Sequence, residues 1–328
     1  MKGIKSMAVL LLLAASIGMA GCGVQNAEGT GENATKANGG NQRTVQTKPA
    51  ASEEEYPLTI KHLSGTTVLE ARPKKIATPY IAFVDYLAVL DEYPISAQGV
   101  ETIMSNFPSL SKRLAGKTVI DLGMEADMER LLSSGPDLIL AADDMADQYE
   151  QLSKIAPTVV LPQAGDWRET LQEIARIIGK EQKADEVLAE FDRKSAEYKE
   201  KLAFRQNETV MFAMYSGKKQ FVTWNDGRFD PFYKGLGLTP PPGLTSNIGQ
   251  LTLEGLADLN PDHLFLINNW QTPVEGGVRN DLKDDGVWNS LNAVKQDQVY
   301  FLEDPSLPGP MALAKIDGIE SIMKALAQ

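Results

Sequence analysis

Tyr80 follows the short β-branched run Ile76 to Thr78, Trp167 and Arg168 follow Val159 to Leu161, Trp224, Arg228 and Phe229 follow Phe221 to Thr223, and Trp270 follows Leu264 to Ile267. Three of the four tryptophans therefore stand where a loop leaves a predicted strand, Trp288 being the exception. Aromatic planes supply rigid apolar contact area, and an arginine fork donates paired N–H bonds to oxygen atoms. Placed on strand-exit loops, such residues suit a cleft that captures a bulky ligand with oxygens on its outside. Each also has a structural reading. Trp167 can staple a helix, Arg168 can be a solvated helix charge, and Tyr80 and Trp270 can close hydrophobic cores. Trp224 can lie in a turn, Arg228 can pair with Asp226 or Asp230, and Phe229 with Phe232 has the spacing of a helix core. The sequence has no GxSxG, HExxH or GxxxxGK[ST] motif, so binding and not catalysis is the expected activity. Two histidines, His62 and His263, and one cysteine, Cys22, exclude disulfide frameworks and multi-histidine zinc sites. Both histidines fall on predicted strands and read as structural.

The chain that must hold these residues has 328 amino acids, 43% hydrophobic and 23% charged, with a formal net charge of -12. That charge repels phosphate backbones and argues against nucleic-acid partners. Residues 1–21 read as a secretory signal, with Lys2 and Lys5 ahead of an apolar stretch from Met7 to Ala15. Met19-Ala20-Gly21-Cys22 resembles the bacterial lipobox, with methionine where leucine is usual, and implies lipidation of Cys22 by diacylglycerol and palmitate chains. Residues 22–55 are rich in Gly, Asn, Thr, Ala and Gln and cannot bury enough surface to offset ordering entropy. They read as a flexible tether reaching on the order of 30 Å above a membrane. Loss of residues 1–21 leaves 30 basic against 44 acidic residues, a net charge of -14.

From Tyr56 onward, short β-branched runs alternate with helical patterns, which predicts an α/β unit over residues 56–162 with a mainly parallel sheet. A second such unit spans 207–328. Between them, residues 163–206 carry apolar positions three and four apart with no proline from Asp166 to Phe204. Asp166 and Glu169 form a capping-box pattern, and Gly179 is the one weak point. If continuous, these 39 residues make a rod of about 58 Å that resists hinge bending. An internal echo links the two units: Glu129, Leu131, Pro136 and Asp137 have the spacing of Glu254, Leu256, Pro261 and Asp262. Each set reads as a helix, a Pro-Asp turn and a strand, so the units are expected to be built alike.

In order and spacing, Arg72-Pro73-Lys74-Lys75-Ile76, Met128 to Ile139, Tyr149 to Leu161, Trp167 to Gly179, Leu251 to Asp262 and Val287 to Tyr300 resemble the iron-siderophore substrate-binding lipoproteins of ABC importers, the ferrichrome, ferric citrate and cobalamin group. The resemblance covers nearly all of the chain beyond residue 56. It implies two Rossmann-like lobes joined by a single long α-helix, with the ligand cleft between the lobes. It further implies a monomer without cofactor, anchored by lipid on the extracytoplasmic face of a membrane, in the manner of Gram-positive bacteria. The implied ligand is a ferric siderophore, and the implied partners are the ABC permease subunits, whose arginines meet a glutamate on each lobe, here Glu129 and Glu254. Each glutamate also complements its own helix dipole. Cobalamin or haem uptake, and a surface enzyme or adhesin, are the alternative readings. Few bases stand at the strand exits, Arg168 and Arg228 being the clearest, which favours hydroxamate or hydroxamate–carboxylate chelates over trianionic catecholates. A bare ferric ion would find only scattered carboxylates and tyrosines. Titration with ferric ion alone is therefore expected to give no stoichiometric binding, and tight binding without a chelator would contradict this reading.

Overall fold

The strands β1 (Leu58–His62) and β2 (Gly65–Leu69) open the structure as an antiparallel hairpin, burying Leu58, Ile60 and Leu69 while Lys61 and Thr66 face out. In this computed structural model, residues 56–224, 226–244, 249–271 and 277–327 are described. The expected signal, tether and Cys22 lie outside the described residues.

Lobe one follows as β3 (Ile76–Thr78), α1 (Ile81–Val89), β4 (Ser96–Ala97), α2 (Val100–Asn106), α3 (Pro108–Leu114), β5 (Ile120–Asp121), α4 (Met128–Ser134), β6 (Leu138–Ala142), α5 (Tyr149–Ile155) and β7 (Thr158–Leu161). Its five strands are all parallel in the order β5-β4-β3-β6-β7. The continuous apolar runs at β6 and β7 are buried along their whole length, as a sheet covered on both faces requires. The chain reverses its direction of growth between β3 and β6, which opens a crevice beyond the carboxyl ends of those strands.

The connecting segment is helical, but it is two helices instead of one rod: α6 (Trp167–Ile178) and α7 (Glu181–Lys201). Asp166 starts α6 by accepting the N–H groups of Arg168 and Glu169 at 2.8 and 3.2 Å. Gly179 ends it at φ 66°, where Lys180 N–H turns back to Ala175 O at 2.7 Å. The 21-residue α7, about 32 Å long, is the single long connector.

Lobe two contains β8 (Val210–Gly217), β9 (Gln220–Thr223), α8 (Asp230–Leu236), β10 (Gly249–Thr252), α9 (Leu253–Leu259), β11 (His263–Asn268), α10 (Gly277–Leu282), α11 (Asn292–Lys295), β12 (Val299–Leu302) and α12 (Ala312–Leu326). Its sheet runs β10-β9-β8-β11-β12, with β8, β11 and β12 parallel and β9 and β10 antiparallel to their neighbours. The echoed motif has the same job in both lobes. Asp137 accepts the N–H groups of Lys74 and Lys75 at 2.9 and 2.8 Å, and Asp262 accepts Thr209 N–H at 2.7 Å, so each Pro-Asp carboxylate fixes the chain entering the neighbouring strand.

The last helix does not stay with its own sheet. It packs against α1, α3 and α6 of the first half as well as α7 and α8. The buried Asp85 carboxylate on α1 accepts Leu313 N–H at 2.8 Å, and the Tyr86 hydroxyl donates to Pro310 O. Replacing Gly179 by alanine tests the break between α6 and α7. At φ 66° a Cβ costs about 1 kcal/mol, so Gly179→Ala is expected to lower stability in denaturant unfolding. A continuous helix would instead gain about 1 kcal/mol from the same change.

Candidate functional site

The crevice at the β3/β6 switch continues into a cavity of about 630 Å³ closed on its other side by the second half of the chain. It is lined by Tyr80, residues 163–167, 226–228 and 230, residues 308–310 and Lys315. Its volume lies within the usual range for small-molecule sites.

Tyr80 is half-buried just before α1, edge-on to Phe83 with centroids 4.9 Å apart. Burial, then the charges of Asp144 and Asp143, push its hydroxyl up to about 12, so it stays a neutral donor and acceptor at physiological pH. Trp167 opens α6 and is buried, edge-on to Phe191 of α7 at 5.1 Å, with its rim on the cavity; it staples and lines at once. Arg228 lies on the wall, bound to Asp226 at 2.7 and 2.9 Å, and donates to Pro308 O at 3.1 Å. Burial raises the Asp226 carboxyl, and the Arg228 guanidinium outweighs this and holds it below the ordinary range.

The remaining expected contacts are not brought to this cavity. Arg168 spans Trp167 and Phe191 at 5.0 Å from each ring and pairs with Asp192, tying α6 to α7. Phe229 is 1% exposed and stacks on Phe212 at 4.8 Å, inside the core of lobe two with Phe232. Trp224 is buried against Phe229 at 5.7 Å. Trp270 is half-buried and meets Phe107, between α2 and α3 of lobe one, at 5.2 Å. His263 is enclosed by Glu208 at 2.6 Å and Tyr300 at 3.1 Å, a structural network of lobe two. Glu129 and Glu254 are both exposed in the first turn of α4 and α9, and neither has an ion-pair partner among the described residues.

Sequence reasoning missed Lys315 and the segment 308–310. Lys315 is the one charge within Met311 to Ile316, on a helix whose neighbours are all apolar, and that isolation was the available signal. Removing an aromatic side chain separates wall from core. Phe229→Ala is expected to cost about 3–5 kcal/mol in thermal or denaturant unfolding, and the half-buried Tyr80→Ala about 1 kcal/mol.

A family model described as periplasmic binding protein matches residues 84–305, more than half of the chain. An iron-uptake system-binding protein of Bacillus subtilis is 27% identical over 97% of this chain and 98% of its own length. The iron(3+)-hydroxamate-binding protein FhuD of Bacillus subtilis is 29% identical over 80% of this chain and 84% of its own. Among solved structures, the triscatecholate siderophore binding protein FeuA from Bacillus subtilis, complexed with ferri-bacillibactin, superposes with a TM-score of 0.68 at 23% identity over 83% of this chain and 98% of its own.

Proposed function

Because the chain belongs to the periplasmic binding protein family, we propose that it is an extracytoplasmic lipoprotein that captures a ferric siderophore and delivers it to an ABC importer permease. The observation that carries this reading is the cavity at the β3/β6 switch, which joins the aromatic edges of Tyr80 and Trp167 to the basic groups of Arg228 and Lys315. A ferric chelate needs that combination of apolar contact and donors to its oxygens. The nearly full-length similarity to an iron-uptake system-binding protein, and the similarity to a hydroxamate-binding protein over 80% of the chain, support the same class. The protein acts by binding alone, as a monomer and without a resident cofactor, held to the membrane of a Gram-positive bacterium by lipid on Cys22. Two bases line the cavity beside Asp166, Asp226 and Asp230, so hydroxamate or hydroxamate–carboxylate chelates are favoured over trianionic catecholates. Tryptophan fluorescence titrated with ferric hydroxamates, catecholates, ferric citrate, haem and cobalamin tests the class. Saturable quenching by a ferric chelate is the expected result, and saturation by haem or cobalamin alone contradicts it.

Delivery rests on the two echoed helices. Glu129 and Glu254 are exposed at corresponding places, and Leu132, 60% exposed one turn beyond Glu129, adds an apolar contact point. Replacing both glutamates by alanine is expected to leave ligand affinity unchanged and to reduce cellular iron uptake strongly. Normal uptake with slightly lower thermal stability would reduce them to helix-dipole partners.

A further inference from the structure

Every carboxylate on the cavity wall already has a partner. Asp166 caps α6 through Arg168 and Glu169 N–H, Asp226 holds Arg228, and Asp230 pairs with Lys234 at 2.6 Å. Arg228 is likewise spoken for by Asp226 and Pro308 O. Lys315 is different. It projects from the second turn of α12 onto the cavity, 2% exposed, donating to Leu307 O and resting over the Phe229 ring at 5.6 Å. An ammonium has three N–H donors, and among the described residues no carboxylate stands within ion-pair distance of it. Asp85, its acidic neighbour on α1, is committed to Leu313 N–H. The cavity's unmatched charge is therefore a single buried cation.

Resting on the siderophore reading above, the geometry points to Lys315 as the residue that reads ligand charge: it pairs with an anionic oxygen on the chelate's periphery and so selects anionic hydroxamate–carboxylate complexes over neutral trihydroxamates. Burying an ammonium without a counterion is costly, and a ligand carboxylate supplies the missing partner in a low-dielectric site, where the pair counts for more than in water. A neutral chelate leaves that cost in place. Burial, then the Arg228 charge, pulls the Lys315 ammonium down to about 7, while Asp85 and Asp226 act in the opposite direction. An anion bound beside it would raise it again. The affinity for an anionic chelate is then fullest below pH 7 and falls as pH rises through 7. Asp85, pushed up to about 7 by burial, acquires its charge over the same interval and repels an anion, which adds to the fall. Tyr80, raised to about 12, and Asp226, held below the ordinary range by Arg228, do not titrate there.

The test compares wild type with Lys315→Met, a neutral side chain of similar length. The probes are ferrichrome, a neutral ferric trihydroxamate, and ferric aerobactin, an anionic hydroxamate–carboxylate. Titration calorimetry at pH 6.5 is expected to give a loss of tenfold or more for ferric aerobactin in the variant and less than threefold for ferrichrome. From pH 6.5 to 8.5 the wild-type affinity for ferric aerobactin is expected to fall severalfold, and the fall to shrink in Lys315→Met. Equal losses for both probes, no loss for either, or a pH slope unchanged by the substitution overturns the assignment, the last transferring the slope to Asp85. If Lys315→Met does not fold, a wild-type profile for ferric aerobactin that is flat across this range overturns it on its own. Wild-type protein that binds neither probe nor any other ferric chelate overturns the siderophore reading itself, an outcome distinct from loss of charge selectivity.

Discussion

A carboxylate fully enclosed on α1 holds the start of the last helix. Asp85 is 1% exposed, accepts Leu313 N–H, and is pushed up to about 7 chiefly by its burial, with the backbone bond acting against that. Placing an acid there is expensive, and the position is tolerable because it meets the unsatisfied N–H groups and positive end of α12. Tyr86, the next residue, binds Pro310 O. These two contacts tie a segment that leaves the sheet of lobe two to a helix of lobe one. The cavity wall at residues 308–310, the placement of Lys315 and the relation of the lobes all follow from that crossing. Close packing reinforces it. A Cβ on Gly318 would come within 2.7 Å of the Leu307 side chain and 3.0 Å of the Phe232 ring, so side chains of the crossing segment and of α8 pack directly onto the bare backbone of α12.

The two lobes use one construction with different outcomes. In both, a capped helix, a left-handed end residue and a Pro-Asp turn lead into a parallel strand, with Asp127 and Gly135 in the first lobe and Thr252 and Asn260 in the second. In both, the aspartate of the turn bonds backbone N–H groups of the neighbouring strand's entry. The first sheet is wholly parallel and places its strand ends at the crevice. The second carries the antiparallel strands β9 and β10, and the segment between them, residues 226–230, forms the facing wall.

The α/β alternation, the two lobes and the echo were legible because each rests on local periodicity and turn chemistry. The break at Gly179 was visible as a weak point, but sequence alone does not say whether a glycine sits in a helix or ends one; its φ of 66° decides. Strand β10 escaped notice because four residues, Gly249 to Thr252, carry almost no alternation. Position after a strand picked out Tyr80, Trp167 and Arg228, which line the cavity, and also Phe229, which folds inward onto Phe212, and Trp224, which packs on Phe229. Arg168 was a fair candidate by type, yet α7 brings Asp192 to it. Lys315 belongs to a helix far along the chain from the strand exits at Tyr80 and Trp167 with which it shares the cavity, a pairing only tertiary structure makes.

A connector helix together with a crossing tied to lobe one leaves little freedom for the lobes to swing, so the ligand is expected to enter a nearly preformed cleft. Small-angle X-ray scattering on the mature chain, with and without a saturating ferric chelate, measures this directly. The account predicts a radius of gyration unchanged to within about 1 Å, the signature of local adjustment and not hinge closure. A change of several Å on binding would contradict it.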